Sequence, residues 1–400
     1  MSKSADWPQV VLVLAAGVIA AAQIGKAAIA LPLLRQDLGL DLLAASWIVG
    51  AYAALGAVGG VAAGFIASHF AMRRVIVAGL AVIAAGNVLG AFAPGAPWLI
   101  GARVLEGTGF LAVVVSGPSL LRNLGSARSQ PIVFACWSAY IPVGAALMMF
   151  VGPLVMDGEW RRLWMINGLV AGLHALVLSV ALRGGARQAA PAARPHHGEI
   201  LALLRSRALL LLAAAFLLYA VQYYALATFL PVFLEERLGF SLAEAGTISA
   251  IVVSANALGN IAAGVFLRMG VALWRLIATV FVTVGITGFA VFSASSPVLF
   301  AAAAAGVCLG VSALLPASVF VTMPRVTATA PQLALSVGLI QQASAIGQCV
   351  GPVILAAWVL RWDWNGVPWL FAIIAALGLI VTALVRNGRI AERAPQGQPR

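Results

Sequence analysis

Leu31-Pro32, Leu38-Gly39-Leu40-Asp41-Leu42 and Gly59-Gly60-Val61-Ala62-Ala63-Gly64 follow one another near the start of this 400-residue chain. The same order returns as Leu230-Pro231, Leu238-Gly239-Phe240-Ser241-Leu242 and Gly259-Asn260-Ile261-Ala262-Ala263-Gly264, offset by 199 residues at the prolines and by 200 afterwards. Gln23 lies nine residues before the first proline, and Gln222 nine before the second. The chain is therefore an internal repeat of two apolar halves. That is the pattern of a membrane carrier whose solute site forms where two repeats meet.

The composition decides the solvent. The chain is 62% hydrophobic and 9% charged, against roughly 45–50% and about 25% in soluble domains. Apolar stretches of about 20 residues recur along its length, each able to cross a ~30 Å hydrocarbon core as a helix. Twelve are expected: 9–34, 45–68, 74–93, 97–121, 131–155, 163–183, 208–234, 243–267, 272–292, 297–321, 332–359 and 366–386. Runs such as Ala301 to Ala305 do not alternate as barrel strands would. The domains expected are an N-terminal six-helix bundle (1–183), a linker (184–207), a C-terminal six-helix bundle (208–386) and a polar tail (387–400).

The net charge of +12 does not point to nucleic acid, because of where the charges fall. An even helix count puts both termini on one side. Most of the basic residues lie there, among them Arg73, Arg74, Arg205, Arg207, Arg268 and Arg386. By the positive-inside rule that side is the cytoplasm. A multi-pass protein of a bacterial-type inner (plasma) membrane is expected. Ala20-Ala21-Ala22 resembles a secretory cleavage site, but the stretch runs on into the repeated Leu31-Pro32. Cys136, Cys308 and Cys349 fall in different spans without metal-binding spacing and read as packing residues. No metal, cofactor or catalytic residue is expected. The expected partners are a small-molecule substrate, protons and membrane lipid, with the protein a monomer.

Ala30-Leu31-Pro32, Asp37-Leu38-Gly39, Ser46-Trp47-Ile48-Val49, Ala51-Tyr52, Gly64 and Arg73-Arg74 together resemble the major facilitator superfamily, and most of all its drug:proton antiporter branches. Arg103-x-x-Glu106-Gly107-x-Gly109 is similar to that family's R-x-x-x-G-x-G motif. Trp160-Arg161-Arg162-Leu163-Trp164-Met165-Ile166-Asn167 resembles the sequence opening its sixth helix. Gly347-x-x-x-Gly351-Pro352 resembles its antiporter motif, moved to the eleventh helix. The resemblance implies an all-α integral membrane fold of twelve transmembrane helices in two pseudo-symmetric six-helix bundles. It also implies gating by Gly64, Ser68, His69, Arg73, Arg74, Gly264, Gly347, Gly351 and Pro352. The chain departs from the family where Ser68-His69 replaces an Asp-Arg. It departs again in the fifth helix, where the glycines around Pro142 are largely replaced.

Of 24 basic and 12 acidic residues, three remain within the spans away from their ends: Lys26, Arg103 and Glu106. A charge at the bilayer centre costs about 2.5–3.5 kcal/mol on insertion scales, so each calls for a reason. Arg103 and Glu106 are three apart and share a helix face, as a packing pair or as a protonation switch. Lys26 is a snorkelling residue, a cation facing the cavity, or a partner of Glu106 across two helices. Gln23 and Gln222 are expected at matching depth in the two halves, as substrate-binding amides or as interhelical hydrogen bonds. Tyr52 and Tyr223 are candidate aromatic walls. The substrate-binding set is Gln23, Lys26, Tyr52, Arg103, Gln222 and Tyr223; the proton-coupling set is Glu106 and Arg103.

No nucleotide-binding Gly-x-x-x-x-Gly-Lys-Ser/Thr sequence is present, so an ion gradient or the solute's own must drive transport. The expected function is a secondary active transporter working by alternating access and coupled to protons, with efflux of a drug or metabolite favoured. The alternatives are proton-linked uptake of an organic anion and a transport-dead membrane sensor of the same fold. An intramembrane enzyme is disfavoured, since neither Gly-x-Ser-x-Gly nor His-Glu-x-x-His occurs.

Overall fold

The computed structural model describes residues 6–60, 70–124, 126, 129–182, 205–293, 297–326 and 330–388. The Ser68-His69 departure, Gly64, nearly all of the linker and almost all of the tail lie outside the described residues. Among those described, helices carry the fold and no strand occurs.

The helices are α1 (Trp7–Leu38), α2 (Leu42–Gly60, with one 3-10 turn at Ala51–Ala53), α3 (Met72–Ala91) and α4 (Ala96–Leu124). Next come α5 in two arms (Gln130–Ser138 and Tyr140–Met156), α6 (Trp160–Ala181), α7 (Arg207–Leu238), α8 (Leu242–Arg268) and α9 (Leu273–Phe292). Then α10 runs in two pieces (Val298–Ser312 and Leu314–Val326). The last helical stretch, Ala330–Asn387, breaks at Asp363, whose φ of 54° and ψ of 178° interrupt the helix. Its arms, 330–362 and 364–387, are α11 and α12.

The repeated motif has a local cause. Gly39 closes α1 in the left-handed region at φ 62°, and the Asp41 side chain then caps α2 by accepting from the Ala44 N–H at 2.7 Å. In the second copy Gly239 has φ 72°, and Ser241 and Glu244 cap α8 reciprocally. Glycine reaches this conformation without a Cβ clash, and a short polar side chain satisfies the orphan N–H groups of the next helix. Leu-Gly-x-(Asp/Ser)-Leu is therefore a tight turn between two spans, written twice.

Prolines explain two of the irregularities. The arms of α5 meet at 48°; Pro142 has no N–H to donate to the Ser138 carbonyl four residues before it. Pro316 stands in the same relation to Ser312, where α10 is interrupted. Outward faces are apolar, with Leu154, Leu176, Ile251 and Leu299 exposed, the surface that hydrocarbon demands and water would reject.

The chain divides into two compact units, Met1–Pro191 with Ala227–Ile251, and Ala192–Leu226 with Val252–Arg400. In the first, Val10, Val13, Ile76, Leu80, Ile83, Val113 and Leu178 pack a core where α1, α3, α4 and α6 meet.

Candidate functional site

The three intramembrane charges meet in the first unit. Lys26 Nζ of α1 lies 3.0 Å from both carboxylate oxygens of Glu106 on α4, and Arg103 Nη1 pairs with Glu106 Oε2. All three residues are 0% exposed. One carboxylate thus serves two cations, and the triad carries a formal charge of +1. Removing charges from water costs several kcal/mol per ion unless close partners offset it, which is why they cluster.

Close helix approach makes the cluster possible. A Cβ on Gly86 of α3 would meet Glu106 Cγ at 2.7 Å, and one on Gly107 of α4 would meet the Tyr52 carbonyl oxygen at 1.8 Å. Each of those two helix pairs touches at a residue that has no side chain.

The two cations are held differently. The Lys26 ammonium donates to Asn87 Oδ1 at 2.6 Å as well as to Glu106, and lies 4.1 Å from the centre of the Trp164 ring. Arg103 donates from Nε to the Ile48 carbonyl at 3.2 Å, and its guanidinium stacks over the Tyr52 ring at 4.4 Å. Arg103 Nη2 is buried and finds no acceptor among the described residues. Tyr52 is fixed by its hydroxyl, which donates to the Ala20 carbonyl at 2.7 Å.

From Lys26 a chain of amides runs across three helices. Asn87 Nδ2 donates to Gln23 Oε1 at 3.1 Å, and Gln23 Nε2 donates to Asn167 Oδ1 at 3.2 Å. Each amide also donates to the carbonyl four residues back on its own helix: Asn87 to Ile83, Gln23 to Ile19 and Asn167 to Leu163. A backbone carbonyl only accepts, so each side-chain oxygen is turned toward the next donor, and the last one in line faces Lys26.

Five of the candidate residues, Gln23, Lys26, Tyr52, Arg103 and Glu106, therefore come together. Asn87, Trp164 and Asn167 complete the site without having been singled out for it. Asn87 had a readable signal: it is the one polar side chain in the interior of α3. In the second unit, Gln222 donates to Ser312 Oγ at 2.9 Å and accepts from Cys308. Tyr223 there packs between Tyr219 and Tyr224, with ring centres 5.6 and 5.1 Å away.

Of the gating candidates, Arg73 donates to the Ser179 carbonyl at 2.6 Å, binding the start of α3 to the end of α6. Arg74 is exposed. Gly347 and Gly351 seat α11 against Ala220 and Val221 of α7, Pro352 is buried, and Gly264 faces open space. Gly64, Ser68 and His69 lie outside the described residues.

Beyond the apolar stretch, at the polar end of α1, Asp37 accepts from the Trp160 indole at 2.9 Å and pairs with Arg161 at 2.5 Å. These hydrogen bonds, Trp160's first, hold its carboxyl below the ordinary carboxylate range. A groove of about 570 Å³ opens nearby, lined by residues at the end of α3 and the start of α6; it contains none of the triad.

The described helices are long and apolar enough to cross a membrane and enclose a buried ionic triad, the build of a multi-pass integral membrane protein. The Major Facilitator Superfamily model matches residues 13–330, and the chain belongs to that superfamily. It is similar to the multidrug efflux pump LfrA of Mycolicibacterium smegmatis, 32% identical over 35% of this chain and 28% of that protein. It is also similar to the 3-(3-hydroxy-phenyl)propionate transporter of Escherichia coli, 24% identical over 58% of this chain and 57% of that one. The matched part is thus less than two thirds of either relative. A bacterial homolog of the human lysosomal transporter Spinster, solved in an inward-facing, occupied conformation, shares the fold. Its TM-score is 0.82 at 14% identity, over 99% of this chain and 100% of that one.

Proposed function

We propose that this protein is a proton-linked secondary transporter of a small organic solute, working by alternating access, with Glu106 as the group that carries the proton. One observation carries the proposal: Glu106 is the shared counter-ion of two fully buried cations. Protonating it removes the charge that holds Lys26 and Arg103, so one proton changes the balance of the whole triad. Such a two-state electrostatic element is what couples an ion gradient to a conformational change. The halves 1–183 and 208–386 are the bodies that alternate in exposing the site, Arg73, Gly347, Gly351 and Pro352 act in gating, and the termini are cytoplasmic.

Similarity to a protein named as a multidrug efflux pump supports outward transport. A second reading, uptake of an organic anion together with a proton, is favoured by the triad's formal charge of +1 and by similarity to a protein named as a phenylpropionate transporter. The test is flux into proteoliposomes under an imposed pH difference. Labelled solute should accumulate with the gradient and collapse with a protonophore, and accumulation that ignores both would refute proton coupling. Its sign gives the direction.

A further inference from the structure

The two cations of the triad are not equivalent. Lys26 has three N–H bonds and three acceptors at 2.6, 3.0 and 3.0 Å, with the Trp164 ring beside them. Its hydrogen-bonding capacity is full. The Asn87 oxygen is turned toward it by the amide chain, so Lys26 keeps one partner even when Glu106 is neutral. Arg103 is differently placed: Nε and Nη1 are used, while the buried Nη2 has no acceptor among the described residues. A buried charged donor without an acceptor is costly, and the most favourable partner is an anion.

We propose that the solute carries a carboxylate that docks on Arg103 Nη2, against the Tyr52 ring, while Lys26 stays with Asn87 as the fixed counter-ion of Glu106. This rests on the second reading above, uptake of an organic anion with a proton. Among the described residues the groups facing Glu106 are Lys26 from α1, Arg103 from its own helix and the uncharged Gly86 from α3; Asn87 from α3 faces Lys26, and Trp164 from α6 and Tyr52 from α2 cover the two cations. With no second acid near among the described residues, a bound carboxylate brings the charge of the site to zero, and a proton on Glu106 and an anion on Arg103 favour each other by charge alone. Because all three charged residues are closed from solvent here, loading belongs to the open states of the transport cycle.

The experiment is calorimetric titration of the purified full-length protein with benzoate, with the neutral isostere benzamide as control, from pH 5 to 8. Benzoate should bind and benzamide should not. Arg103→Lys keeps the charge and can still pair with Glu106, but lacks the second nitrogen arm. It should weaken benzoate by about tenfold or more, the worth of a charged hydrogen bond. Lys26→Met should weaken it several-fold less than Arg103→Lys does. Tyr52→Leu, which leaves every charge in place, should also weaken benzoate and serves if Arg103→Lys does not fold. Equal benzoate affinity in the wild type, Arg103→Lys and Tyr52→Leu, or a larger loss in Lys26→Met than in Arg103→Lys, would overturn the assignment of Arg103 while leaving the anion reading standing. If neither benzoate nor acetate nor citrate binds the wild type, the anion reading itself falls.

Discussion

Lys26 Nζ lies 3.0 Å from each carboxylate oxygen of Glu106, eighty residues away in sequence, and neither side chain reaches solvent. This contact ties α1 to α4 in the middle of the first unit. It also makes Lys26 an inward-facing residue, closing the snorkelling alternative. Most of the testable behaviour of the protein follows from it.

Replacing Glu106 by Gln should leave two buried cations without a counter-ion. Breaking a buried pair by removing one partner costs roughly 3–5 kcal/mol, so the variant should unfold at clearly lower temperature. Gradient-driven accumulation should be lost, while exchange of solute down its own gradient should remain. A variant that still accumulates solute in response to an imposed pH difference would show that the proton resides elsewhere.

Lys26 and Glu106 should be strongly coupled in a double-mutant cycle. Lys26→Met alone leaves Glu106 its Arg103 partner, and Glu106→Gln alone leaves both cations unbalanced. The double variant removes both ends of the contact, so its destabilisation should fall short of the sum by about 0.5–3 kcal/mol. Denaturation of all four proteins measures this, and strict additivity would mean that the contact carries no energy.

Gly107→Ala should separate α4 from α2, because the new methyl would stand 1.8 Å from the Tyr52 carbonyl oxygen. Overpacking of this kind costs typically about 1–3 kcal/mol, and here it also displaces the ring beneath Arg103. Gly101→Ala, on the same helix with nothing within 4 Å, should be neutral or slightly stabilising through helix propensity. Melting curves of the pair decide, and equal melting temperatures would contradict the close packing.

Asp37 should give a small acid-side stability term. Its carboxyl is held below the ordinary range by Trp160 and Arg161. A group with a depressed folded pKa contributes stability above its unfolded value and loses it as pH falls through the folded one. The exposed setting keeps the effect within about 1 kcal/mol. Wild type should therefore lose slightly more melting temperature than Asp37→Asn between pH 6 and 3.

The fold was legible because lipid imposes simple rules. Apolar length gave the spans, and the repeated Leu-Gly-x-(Asp/Ser)-Leu gave the turns at Gly39 and Gly239. The broken geometry of α5, α10 and the Asp363 junction was less so, since a proline in an apolar run marks a bend without fixing its angle. At the site, the cost of intramembrane charge picked out Lys26, Arg103 and Glu106. Which of them touch depends on helix rotation and on bare glycine contacts such as Gly86 against Glu106, and neither has a one-dimensional signature. Asn87 carries no charge penalty and is marked only as the one polar side chain in the interior of α3. Trp164 has no mark of that kind, because aromatic residues are common in such helices.

One consequence concerns which parts can move. α1 is fastened to α6 at two places: Gln23 to Asn167 within the span, and Asp37 to Trp160 at its polar end. The two points are fourteen positions apart on α1, about 21 Å of helix, and seven apart on α6, about 10 Å. Two rods pinned at two separated points can neither slide nor pivot against each other without breaking a pin. α1 and α6 should behave as a single strut, so crosslinking them at a third point should leave transport intact, whereas the same crosslink across a working joint would stop it.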